Sequence, residues 1–259
     1  MNAVFLTSAI DLYSKDENGV RVPHHFGNQN GLLDNFKKYI KKYDNFLYVA
    51  SVEDRFDATD VYANVTFESF KQTLPFKNYN ILDGRTKAFA KQLVEKADFI
   101  ILAGGHVPTQ NAFFNKIKLA DLLQKTNAVI CGGSAGSMNC AKTVYCPPEL
   151  DGEALDPNFE RYLPGLGLVN FNIMPHYNEY LSEILDGFRV IEDIVVPDSF
   201  KSDIYCISDG AYFLCDKDVV TIYGEAHVIK KGVTTKICDD EETKPIMFNT
   251  SIGKSTKIL

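Results

Sequence analysis

The sequence predicts a three-layer α/β fold, in which a mostly parallel sheet carries helices on both faces and antiparallel hairpins follow toward the C-terminus. Three observations predict it. Short, wholly apolar runs alternate with longer amphipathic stretches, the strand–helix repetition of a parallel sheet buried on both sides. Two of those runs end in paired glycines, Gly104-Gly105 and Gly132-Gly133. From Ile204 onward, β-branched and aromatic runs are separated by Asp209-Gly210, Asp216-Lys217-Asp218 and Lys230-Lys231-Gly232, which are hairpin turn signals.

Taken in order, Ala3–Leu6 reads as a first strand and Leu32–Tyr43 as a helix with Leu33, Phe36 and Ile40 on one side. Phe46–Ala50 is a strand, followed by a helix near Tyr62–Gln72, a strand at Tyr79–Leu82 and a helix at Thr86–Ala97. Asp98–Leu102 is a buried strand and Asn111–Gln124 a helix. Ala128–Cys131 is another buried strand, with a small-residue helix starting near Ala135. Tyr145–Leu163, rich in Pro, Asp and Glu, is an excursion off the core, and Leu166–Met174 returns as a strand. Neither a linker nor an internal repeat interrupts the pattern, so residues 1–259 are expected to form a single domain.

Composition narrows the function classes. Of 259 residues, 45% are hydrophobic and 24% charged, enough for a real core. The formal net charge of −7 is spread without a basic stripe, which argues against nucleic acid as a partner. The run Lys37-Lys38-Tyr39-Ile40-Lys41-Lys42 is the solvated side of an amphipathic helix, and Asp239-Asp240-Glu241-Glu242 a solvated turn. Six cysteines (131, 140, 146, 206, 215, 238) show neither a zinc spacing nor a disulfide framework. The start of the chain lacks signal-peptide character, and no apolar run approaches membrane-spanning length. A reduced, cytoplasmic protein is expected, with no membrane partner; the glycosylation-like triplets at Asn64 and Asn249 are chance matches on this reading.

The strongest chemical signal is Gly132-Gly133-Ser134-Ala135-Gly136. A serine on a tight strand-to-helix turn needs small neighbours, because the backbone bends where Cβ atoms would clash. Such a turn lifts the hydroxyl above the sheet and sets the Ala135 N–H beside a developing oxyanion. The nucleophile needs a base, and His176 in Met174-Pro175-His176-Tyr177 lies just past a strand end, where open α/β sheets place functional groups. His106 is the rival, but the Gly104-Gly105 turn before it reads better as the source of a second oxyanion N–H, from Gly105. His24, His25 and His227 receive no role.

The elbow, the upstream Ile100-Ile101-Leu102-Ala103-Gly104-Gly105 and Pro175-His176-Tyr177 occur in an order and spacing that resemble peptidase family S51, the dipeptidase E and cyanophycinase-like enzymes. The resemblance runs from about Phe46 to Tyr177 and more loosely through Ser208-Asp209-Gly210. It implies a fold like that of class I glutamine amidotransferases (flavodoxin-like), with serine replacing cysteine at the elbow. It also implies a triad in the order Ser, acid, His, and no metal or organic cofactor. Between Ser134 and His176 the acids are Glu149, Asp151, Glu153, Asp156 and Glu160. Laying the family pattern onto Ser134 without a gap selects Glu149, with Asp151 as the alternative if a loop insertion falls earlier.

The implied substrate is a small peptide, and a homodimer is compatible with the pattern. One departure bears on specificity. Where the family carries a Thr-Arg-Glu-type run after the histidine, this chain has Asn178-Glu179-Tyr180-Leu181-Ser182-Glu183, so no unique preference for Asp-X dipeptides is expected. Arg161 and Arg189 are the arginines nearest in sequence. The competing classes are an amidotransferase-like module, a catalytically silent binding protein on the same scaffold, and an α/β-hydrolase esterase that would have to use His227.

Overall fold

The computed structural model describes residues 3–217, 219–247 and 257–258. Met1, Asn2, Asp218 of the second turn signal and the Asn249 triplet lie outside the described residues. Strand β1 (Val4–Thr7) is buried at every position and runs through the middle of the molecule. A small hairpin, β2 (Tyr13–Lys15) with β3 (Arg21–Pro23), precedes helix α1 (Leu32–Tyr39). Then follow β4 (Asn45–Val49), α2 (Phe56–Thr73), β5 (Asn78–Leu82), α3 (Ala90–Lys96) and β6 (Phe99–Leu102). Helices α4 (Val107–Lys116) and α5 (Leu119–Leu123) lead to β7 (Val129–Gly133) and the short α6 (Ala135–Met138).

β8 (Thr143–Tyr145) and β9 (Tyr162–Pro164) pair across the base of the acidic excursion. They are followed by β10 (Asn172–Met174), α7 (Tyr177–Tyr180), the hairpin β11 (Ile184–Leu185) and β12 (Phe188–Arg189), and α8 (Val196–Asp198). The last strands are β13 (Ile204–Ile207), β14 (Tyr212–Asp216), β15 (Val219–Tyr223), β16 (Ala226–Lys230), β17 (Val233–Cys238), β18 (Thr243–Met247) and β19 (Lys257–Ile258).

The central sheet has nine strands in the order β19-β18-β15-β14-β1-β7-β6-β4-β5. From β1 to β5 every pairing is parallel; from β14 outward every pairing is antiparallel. Alternate residues of the parallel strands feed two separate cores, as a period-two strand buried on both faces must. Phe46 and Tyr48 of β4 and Phe99 and Ile101 of β6 pack with Phe36 of α1 and Phe67 and Phe70 of α2. Leu47, Val49, Ile100 and Leu102 pack with Val94 of α3, Phe113 of α4 and Leu119 of α5. The first core is dense in aromatics, with Phe46 and Phe70 at 5.2 Å and Phe36 and Phe99 at 5.4 Å between ring centres, within the favoured range for edge-to-face pairs. A second, four-stranded sheet, β10-β13-β16-β17, adds Ile173, Tyr205 and Ile237 to the core that holds α3 to α5.

Several expected elements differ in extent. The first helix stops at Tyr39, because Ile40 turns to extended backbone (φ −77°, ψ 115°) while its side chain stays buried. The helix expected over Asn111–Gln124 starts earlier and breaks at Lys118, which adopts φ 52° between α4 and α5. The strand expected over Leu166–Met174 survives only as β10. Its first part is bent by Gly167 (φ 65°), and the N–H groups of Leu166, Leu168 and Val169 instead donate to the Asn139 and Cys140 carbonyls that end α6. All six cysteines are free and buried. Asn64 lies in the interior of α2, and no helix among the described residues is long and apolar enough to cross a membrane.

Candidate active site

The elbow is built by close approach. Strand β7 ends at Gly133, Ser134 takes φ 51° and ψ −119°, and α6 begins at the next residue. A Cβ on Gly132 would stand 2.6 Å from the Ser137 nitrogen, and one on Gly136 would stand 2.3 Å from the Leu102 carbonyl oxygen. Neither position admits a side chain, so the glycines are required by packing against β6 and α6. The rare backbone of Ser134 is held by its own N–H, which donates to the Thr7 and Ser8 carbonyls at 3.1 and 3.0 Å. Behind it, the hydroxyls of Thr7 and Ser137 donate to Gly132 O at 2.8 and 2.7 Å.

His176 follows β10 in a left-handed conformation (φ 55°, ψ 33°). Its Nε2 lies 2.9 Å from Ser134 Oγ, and its Nδ1 lies 2.8 Å from Asp209 Oδ1. An ionised carboxylate only accepts, so Nδ1 carries the proton and Nε2 turns its lone pair to the serine hydroxyl. Burial opposes the charged imidazole. The hydrogen bond and charge of Asp209, with the charges of Glu179 and Glu149, outweigh it and hold His176 above the ordinary histidine value. Asp209 in turn is held below the usual carboxylate value, chiefly by the hydrogen bond from His176 and further by one from Ser8.

Glu149, expected to orient the imidazole, does not do so by a hydrogen bond in the structure. Its Oε2 accepts from the Val107 N–H at 3.4 Å, at the start of α4, and Nδ1 of His176 is already occupied by Asp209. Burial pushes the Glu149 carboxyl up to about 7. Asp151, Asp156 and Glu160 are exposed, and Glu153 pairs with His106 at 2.9 Å. From the sequence, Asp209 entered only as part of a turn signal and of the looser end of the family resemblance. The signal that could have found it is Ser208-Asp209-Gly210 directly after the apolar strand Ile204–Ile207. β10 and β13 are parallel neighbours with Met174 opposite Cys206, so the residues just past both strands emerge at one sheet edge.

The other expected positions fall as follows. Neither the Ala135 nor the Gly105 N–H donates to a backbone carbonyl among the described residues. Gly104-Gly105 packs on the elbow so closely that a Cβ on Gly104 would lie 3.2 Å from Ser134 Cβ. His106 is tied to Thr109 and Glu153. His227 stacks on Tyr177 with ring centres 4.7 Å apart, and burial lowers its pKa. Arg161 and Arg189 are engaged by Asp198 and Asp193. His176, Glu179 and Asp209 bring potential ligand atoms within 4.8 Å of one another. Two of the three already bond to each other, and a cation there would compete for Nδ1.

Beside the Gly105 turn opens a cavity of about 540 Å³, lined by Tyr48, Ser51, Arg55, Tyr62 and His106 among others. The Arg55 guanidinium has no ion pair or hydrogen bond among the described residues. A larger cavity of about 740 Å³, near Ala3, Asp44 and Asp98, lies at the opposite ends of the parallel strands and touches none of these groups. The assembled groups can take a proton from a serine hydroxyl, hold the resulting imidazolium against a carboxylate, and return the proton to a leaving group.

The model of peptidase family S51 matches residues 21–223. A crystal structure of a Listeria monocytogenes EGD-e protein provisionally named peptidase E superposes with a TM-score of 0.57. That likeness covers 91% of this chain and 98% of the other, at 17% identity. No curated relative matches the chain.

Proposed function

The chain belongs to peptidase family S51, and from that premise we propose that it is a serine peptidase that hydrolyses amide bonds of small peptides through an acyl-enzyme at Ser134. The observation that carries this reading is the unbroken line Ser134 Oγ, His176 Nε2, His176 Nδ1 and Asp209 Oδ1, with contacts of 2.9 and 2.8 Å. Ser134 Oγ attacks the peptide carbonyl while Nε2 accepts its proton, and Asp209 stabilises the imidazolium. The N–H groups of Ala135 and Gly105 receive the oxyanion. Nε2 then protonates the leaving amine, and a water deprotonated by the same nitrogen releases the acyl group. Asp209 takes the orienting role that the family resemblance implied for Glu149. Glu149 acts on His176 by charge.

The fold is read as class I glutamine amidotransferase-like and residues 1–259 as one domain. An amidotransferase module with a cysteine nucleophile is disfavoured, because Cys131 is sealed inside β7 and burial pushes its thiol up to about 12. The peptide enters beside Gly105, where Arg55 is the cation free to hold one of its carboxylates. The test is covalent labelling by a fluorophosphonate together with peptide turnover. Both are expected in the wild-type protein and both are expected to vanish in Ser134→Ala, while a Ser134→Ala protein with wild-type turnover would end the reading.

A further inference from the structure

Ser8, at the end of β1, touches every member of the catalytic line. Its carbonyl accepts from the Ser134 N–H at 3.0 Å, its hydroxyl oxygen accepts from the His176 N–H at 2.7 Å, and its hydroxyl donates to Asp209 Oδ1 at 2.5 Å. The residue is 1% exposed, and its own N–H donates to the Ala211 carbonyl at 3.4 Å. Asp209, by contrast, has a side chain 46% exposed.

The directions of these bonds follow from counting protons. A backbone N–H only donates, so the His176 N–H must spend the Ser8 oxygen as an acceptor. The single Ser8 proton is then free to point at Asp209, and it does. That proton and the Nδ1 proton of His176 converge on the same oxygen, Oδ1. The ionised Oδ1 accepts from both, and the bond from Ser8 holds that oxygen where Nδ1 must be the protonated nitrogen and Nε2 faces Ser134. The chain of bonds starts on the His176 backbone and returns to the His176 ring.

We infer that Ser8 is a positioning residue, whose hydroxyl fixes both the left-handed backbone of His176 and the rotamer of Asp209 and so sets the working tautomer. The inference rests on the serine peptidase reading for its catalytic consequence, but not for its structural one.

The test is Ser8→Ala, with Ser8→Cys, which fills the space with a weak donor, carrying the same comparison should the alanine variant not fold. Asp209 is then free to swing to water. The expected result is a fall in kcat of about 10²-fold, the scale of a misplaced catalytic group, with KM changed less than about threefold. In the free enzyme, the downfield proton NMR signal of His176 Nδ1–H weakens and the His176 titration midpoint falls. A residue that merely supports the fold would lower the melting temperature and leave that signal and midpoint in place. A variant with wild-type kcat and an unchanged His176 titration overturns the inference. If the wild-type protein neither labels with fluorophosphonate nor cuts peptides, the peptidase reading fails, and the NMR comparison still decides the role of Ser8.

Discussion

Replacing Asp209 by Asn separates the charge of the orienting acid from its shape. In the structure both donors, His176 Nδ1–H and the Ser8 hydroxyl, reach Oδ1, and no hydrogen bond reaches Oδ2 among the described residues. An asparagine can therefore put its amide oxygen where Oδ1 was and turn its NH₂ to the solvent side. The useful tautomer survives, and the loss is that of the negative charge beside the imidazolium. An adjacent opposite charge is worth about 1–3 pKa units, or roughly 1.4–4 kcal/mol at 1.36 kcal/mol per unit, which corresponds to about 10- to 10³-fold in kcat. The half-exposed setting of Asp209 favours the lower half of that range. A drop nearer 10⁴-fold would mean that the amide presents its NH₂ to Nδ1 and imposes the wrong tautomer. The assay is kcat on one peptide for wild type, Asp209→Asn and Glu149→Gln side by side. The assignment is refuted if Asp209→Asn keeps more than about a third of wild-type kcat, or if Glu149→Gln is the more damaged of the two.

Glu149→Gln should act on stability and on the pH profile. The Glu149 carboxyl is pushed up from 4.5 to about 7 by burial. The folded state thus holds its proton more tightly than the unfolded chain, and stability is lost as pH rises from 4.5 through 7. The variant should be more stable than wild type at pH 8 by up to ~3 kcal/mol, a margin that closes only below about pH 4.5 and is read by denaturant melts. Its acid limb in kcat/KM should also shift to lower pH, because the Glu149 charge that raises the His176 pKa is gone. Arg55→Ala should raise KM about 10- to 100-fold for peptides bearing a carboxylate in the cavity and leave kcat nearly unchanged, one charge-assisted contact being worth roughly 1.5–3 kcal/mol. Steady-state kinetics on Asp-X and Ala-X dipeptides checks this, and equal losses on both would remove Arg55 from side-chain recognition.

What the sequence determined by itself is what local sterics and burial decide. Wholly apolar runs such as Phe99–Leu102 can only be satisfied by covering on both faces, and Gly132 and Gly136 around Ser134 announce a turn too tight for any Cβ. Ser134 and His176, the proposed nucleophile and base, were singled out on those grounds, since each sits where an apolar strand gives out. Strand ends were less secure. Gly167 was free to take φ 65° and break an apolar run, because the amides on either side found carbonyl partners at the end of α6. The carboxylate that bonds His176 Nδ1 in the structure was not singled out. The family pattern pointed to Glu149, fifteen residues past the serine, whereas the carboxylate bonded to Nδ1 follows the strand that neighbours the histidine's. That neighbour is β13, which reaches β10 through pairing of Met174 with Cys206 after the chain has passed through α7 and α8. Ser8 and Arg55 stand in the same case. Nothing in their own segments marks them, and their proposed roles arise only when packing of the sheet brings the end of the first strand against Ser134 and Arg55 into the cavity beside Gly105.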